Sequence, residues 1–154
     1  MPLTHLNERG EAHIVDIGDK PATRRRAVAR ARLDAGPQTV AAIVGGTLKK
    51  GDALAVARVA GILAAKRTSE LIPLCHPIAL TRVSVDIDSD DSGLLITATA
   101  ETTGPTGVEM EALTAASIAA LTLYDMAKGI DRGMTISTVQ LVEKSGGASG
   151  EFTR

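Results

Sequence analysis

A chain of 154 residues with a net charge of −1 and 23% charged side chains has the makeup of one ordinary globular domain, not of a basic nucleic-acid binder. With one Tyr, one Phe and no Trp, it must fill its core with Ala, Val, Ile, Leu and Met, and it has almost no rings on which bases could stack. One cysteine, Cys75, excludes an intrachain disulfide, and no apolar run approaches the ~20 residues that a membrane span needs.

The opening segment MPLTHLNERGEAH is polar and lacks the charged-then-apolar pattern of a secretory signal, so a cytoplasmic protein is expected. Residues 1–10 are expected to form a loose arm. His13 to Ile17 alternates and predicts a short edge strand. Arg24 to Leu33 is predicted as a basic helix with Thr23 as N-cap, ended by Asp34-Ala35-Gly36-Pro37. Gln38 to Val44 is a short apolar helix or strand closed by Gly45-Gly46, and Thr47 to Gly51 is a basic loop. Asp52 to Arg67 predicts a second helix, apolar nearly all round, with Asp52 at its N-terminus and Lys66 and Arg67 at its C-terminus.

Pro73 to Pro77 cannot be a regular element, because its two prolines break helix and ladder alike. It connects into a strand over Ile78 to Asp88; Ser89 to Gly93 is a turn, and Leu94 to Thr102 returns as the hairpin partner. Gly104 to Asp131 is a glycine-proline loop opening into one long helix, uncharged from Ala112 to Tyr124. Met134 to Glu143 alternates as a third long strand, and Lys144 to Gly150 reads as a flexible tail, with residues 145–154 flexible. No repeat or domain boundary interrupts this order. It predicts a single α+β domain with a mostly antiparallel sheet and helices on one face, whose hairpin-helix-strand part suits a ferredoxin-like half.

Several residues could carry chemistry. His76, between prolines, is held, and histidine is the residue type suited to proton exchange near neutral pH; a backbone-satisfied turn histidine explains it as well. Cys75 beside it is a weak nucleophile candidate, and the further ligands a zinc site would need do not occur at recognisable spacing. Asp125 and Lys128, three apart on one helix, are either an ordinary surface ion pair or a carboxylate-oriented proton donor. Glu109 and Glu111 in the first helical turn either read a donor-rich ring such as a purine or pterin or simply complement the helix dipole. At ~1.5 Å per residue, Glu111 and Asp125 stand ~21 Å apart along the axis, too far for one small-molecule site within one chain. They share a site only if a second copy is alongside. Scattered cations would bind an oligophosphate if they converge, yet neither GxxxxGK[ST] nor GxGxxG occurs.

LTHLNERGEAHIVDI, KKGDALAVARVAGILAAKRTSELIPLCHPI, TGPTGVEMEALTAASIAALTLYDMAKGID and LVEKSGGASGEF, in this order, make the chain resemble the MoaC family of molybdenum cofactor biosynthesis, the cyclic pyranopterin monophosphate synthases. The resemblance implies a ferredoxin-like fold and a homohexamer built as a trimer of dimers, with sites between subunits. It implies conversion of (8S)-3′,8-cyclo-7,8-dihydroguanosine 5′-triphosphate to cyclic pyranopterin monophosphate with release of pyrophosphate. It places substrate contacts on Leu74, Cys75, His76, Met110 and Glu111, acid-base chemistry on Asp125, and essential roles on Lys128 and Lys50. Arg25, Lys66 and Lys144 would serve the triphosphate, with Arg24 and Arg26 as neighbours easily confused with Arg25. No cofactor is required by the sequence, although Mg²⁺ could accompany the triphosphate, and neither nucleic acid nor membrane is an expected partner. The rival class is a non-catalytic oligomeric binder of a phosphorylated purine or pterin.

Overall fold

The computed structural model describes residues 6–147 and 150–154. Among these, the elements run β1 (Thr23–Asp34), α1 (Pro37–Gly45), α2 (Ala53–Lys66), α3 (Thr68–Leu71), β2 (Arg82–Asp90), β3 (Gly93–Gly104), α4 (Glu109–Ala127), β4 (Thr135–Ser145) and β5 (Phe152–Thr153). The strands form one antiparallel sheet in the order β2-β3-β1-β4-β5, and α2 and α4 pack against it. Its first four strands have the split β-α-β arrangement of a ferredoxin-like fold, with β1 in the middle and each helical crossover joining strands that flank another.

The segment at 23–34 corrects the expected basic helix. Its Ala and Arg content favours helix locally, but Ala27, Ala29, Ala31 and Leu33 recur every second residue and are fully or almost fully buried. Their partners are Ala100, Ala98, Ile96 and Leu94 on β3, all likewise buried. Burial of that apolar row between two strands and α4 outweighs a helical propensity worth only tenths of a kcal/mol per residue. The arginines at the even positions go to the opposite face. There Arg32 pairs with Asp34 and Asp90 at 2.9 Å each, Arg26 pairs with Glu143, and Arg24 and Arg82 both approach Glu101.

Two further expectations are revised. Residues 13–17 form no ladder; the one bridge nearby joins Leu6 to Ala12, and Val15 and Ile17 instead turn half-buried toward the Pro73–Pro77 connector. β4 continues to Ser145, so Lys144 stands on a strand rather than in a tail, and β5 pairs back on Glu143 and Lys144. The flexible ends expected at 1–10 and 145–154 fall partly outside the described residues.

The helical layer is built on small side chains. Ala53, Ala57, Gly61, Ala64 and Ala65 of α2 are buried, as are Ala112, Ala115, Ala116, Ala119 and Ala120 of α4. A Cβ on Gly61 would stand 3.0 Å from the Ala115 carbonyl oxygen, which shows how closely the two helices approach. Asp52 caps α2 by accepting from the Ala55 N–H. Lys50, just before α2, contacts Asp125 near the end of α4, so α2 and α4 run in opposite directions.

Candidate active site

At the N-terminal end of α4 a cavity of about 440 Å³ opens between the Pro73–Pro77 connector, the loop before α4 and the segment around Val15. Leu74, Cys75, His76, Met110 and Glu111 all line it, so five of the expected substrate contacts converge in one chain. The connector is held there by two contacts. His76 Nε2 lies 2.6 Å from the Val15 carbonyl oxygen, and the Cys75 thiol points at Glu111 Oε2 from 3.7 Å.

Glu111 is 2% exposed and its Oε1 has no hydrogen-bond partner among the described residues. Burial raises its pKa above the usual carboxylate range, opposed by its own backbone N–H and by Cys75. Burial also pushes the Cys75 thiol up to about 11, helped by the charge of Glu111. The thiol is therefore a weak donor to the carboxylate and a poor nucleophile. An unpaired buried carboxylate oxygen facing a cavity is suited to accept from the N–H groups of a ring.

Two expected phosphate residues flank this end. Alternation on β1 separates Arg25 from its neighbours: it points to the helix side, 5% exposed, with Nε donating to the Gly104 carbonyl oxygen at 2.8 Å. Lys144, paired with Ala27 across the sheet, comes up on the same side and lies 3.2 Å from Glu109 Oε1. Gly146 and Gly147 follow with φ of 89° and 83°, and a side chain on Gly147 would collide with the Arg25 guanidinium. Lys66 ends α2 on the same side of the layer, exposed, and does not line the cavity.

The other three residues gather at the far end of α4. Asp125 Oδ2 accepts from Lys50 Nζ at 2.9 Å, and its Oδ1 lies 3.0 Å from Lys128 Nζ. These two ammonium groups, Lys50 foremost, hold the Asp125 carboxyl below the usual range. A second cavity of about 550 Å³ adjoins the triad, lined by Lys50 and by Leu48, Met126 and Ile130. Asp131 braces this end: it accepts from the Gly36 N–H, the Thr39 hydroxyl and the Gly133 N–H, which lower its pKa in that order. One chain thus carries two separate clusters, one around Glu111 at the start of α4 and one around Asp125 at its end.

Sequence reasoning missed Lys20, Val15 and Ile17 as cavity residues. The short Val-Asp-Ile run before Lys20 was the available signal, but a contact between residues about sixty positions apart leaves no trace in local periodicity. Among the described residues, no three His, Cys, Asp or Glu side chains are grouped as they would be around a metal ion.

The chain is similar to known proteins over almost its whole length. The family model described as the MoaC family matches residues 14–147. A cyclic pyranopterin monophosphate synthase of Thermomicrobium roseum is 59% identical over 154 residues, covering 99% of this chain and 93% of that protein. A match that spans both ends of α4, the connector and the sheet admits one conclusion: this chain belongs to the MoaC family.

Proposed function

We propose that the chain is a cyclic pyranopterin monophosphate synthase of molybdenum cofactor biosynthesis, a lyase acting on the cyclised GTP intermediate. The observation that carries this is the pairing of a ring-sized cavity, ending in buried Glu111 with its Oε1 unpaired among the described residues, with a separate carboxylate held between two lysines.

In this reading Glu111, Cys75 and His76 hold the base edge of (8S)-3′,8-cyclo-7,8-dihydroguanosine 5′-triphosphate, with Leu74 and Met110 packing on it. Arg25, Lys66 and Lys144 take charge from the triphosphate as pyrophosphate leaves and the cyclic phosphate closes. Rebuilding the purine-derived ring as a pterin moves protons between nitrogen and oxygen. Lys128 and Lys50 donate and recover them, while ionised Asp125 keeps both ammonium groups aimed. Mg²⁺, where it takes part, arrives with the triphosphate as substrate. Because ~21 Å of helix separates Glu111 from Asp125, the working site joins the first end of one subunit to the second end of another, in a homohexamer of three dimers in the cytoplasm. Among the described residues, no helix is long and apolar enough to cross a membrane.

The test is turnover by the purified protein with the cyclised GTP intermediate, following pyrophosphate and pterin product together. Both products, lost in Lys128→Ala, are expected. Tight binding with neither product would instead indicate a sequestering protein.

A further inference from the structure

One carboxylate at the start of α4 meets two constraints at once. Glu109 Oε1 lies 3.2 Å from Lys144 Nζ, and the same atom fills the space that a Cβ on Gly107 would need. The pair is half-sheltered, with the side chains 30% and 19% exposed, and it is an ionic contact without hydrogen-bond alignment. Glu109 and Gly107 both line the cavity of His76 and Glu111. Any acidic residue in a first helical turn satisfies the helix dipole. That role needs neither a glycine two residues earlier nor a lysine from β4.

We propose that Glu109 is a positioning residue, holding the Lys144 ammonium at the rim of the cavity for the phosphates of the substrate. The inference rests on the functional reading above. Lys144 is anchored at its backbone between Ala27 of β1 and Phe152 of β5, but its stem is flexible. An ammonium already set in place loses less freedom when a phosphate arrives. Gly107 belongs to the same device, because only a residue without a side chain lets Glu109 fold back over the loop.

The test is a double-mutant cycle on Glu109→Gln, Lys144→Met and their combination. It is read by steady-state turnover and by calorimetry with inorganic pyrophosphate. Glu109→Gln should raise KM about tenfold, leave kcat within about twofold, and weaken pyrophosphate in parallel. Added to Lys144→Met, it should cost nothing further, and Gly107→Ala should reproduce its effect alone. Additive losses would mean that Glu109 touches substrate itself. Unchanged or tighter pyrophosphate binding in Glu109→Gln would mean that the carboxylate merely competes with phosphate. Either result overturns the proposal. Wild-type protein that binds pyrophosphate but makes no product would overturn the functional reading, while the calorimetric cycle would still decide the Glu109–Lys144 coupling.

Discussion

Lys50 Nζ meets Asp125 at two points, the carboxylate Oδ2 at 2.9 Å and the main-chain oxygen at 3.2 Å, while Lys128 takes the other carboxylate oxygen. Both oxygens of Asp125 are thus engaged by ammonium groups, and its lowered pKa keeps it ionised across the neutral range. In the proposed mechanism, proton transfer at this end falls to the lysines, with Asp125 holding them in place.

Asp125→Asn should therefore lower kcat by about 10²–10⁴-fold, the usual scale of general acid-base catalysis, without unfolding the chain. All three side chains are about half exposed, and surface ion pairs add little to stability. A depressed folded pKa gives stability that is present above the unfolded value and lost as pH falls through the folded one. That contribution is fully present at pH 7, but the exposed pairs make it small, so melting curves of variant and wild type there should nearly coincide. A collapse in solubility would mark the triad as structural.

Mixing Glu111→Ala chains with Lys128→Ala chains, each inactive alone, should restore part of the turnover. This follows because the two residues stand at opposite ends of one helix and would meet only across a subunit boundary. Failure to complement after confirmed subunit exchange would assign both ends to separate functions.

Glu111→Gln should stabilise the fold at neutral pH and lose activity. The raised folded pKa of Glu111 means that its contribution to stability is full below the unfolded value near ~4.3 and is lost as pH rises through the folded one. The glutamine escapes that loss. Its melting temperature should rise at pH 7, by roughly 2–4 °C for each kcal/mol recovered, with no gain near pH 4. The same change removes a charge facing Cys75, whose thiol now sits at about 11, so alkylation at pH 8 should quicken.

Gly61→Val should destabilise the chain by about 1–3 kcal/mol through overpacking. A Cβ there would stand 3.0 Å from both the Ala115 carbonyl oxygen and Val85 Cγ2, and 3.3 Å from the Ala119 Cβ. Chemical denaturation at constant slope would measure it.

The long helix, the capped second helix, the hairpin and the last strand were legible because each carries its own period and punctuation. The first strand was not, since alanine and arginine suit a helix locally and only pairing with β3 reveals the every-second-residue pattern from Ala27 to Leu33. That misreading hid which arginine faces the site, as alternation sends Arg25 inward and Arg24 outward. His76 was legible as constrained, but its carbonyl partner on Val15 was not. The glycines at 146 and 147 looked like slack. Each instead fits where a side chain would strike β1.

The alanine cladding of α4 makes that helix a gauge. With Ala112, Ala115, Ala116, Ala119 and Ala120 all at zero exposure, it has no slack in which to slide or roll. The interval between its two chemistries is counted in residues: deleting one would swing Asp125 by ~100° relative to Glu111 as well as drawing it ~1.5 Å nearer. The rod between its two ends permits no intermediate length.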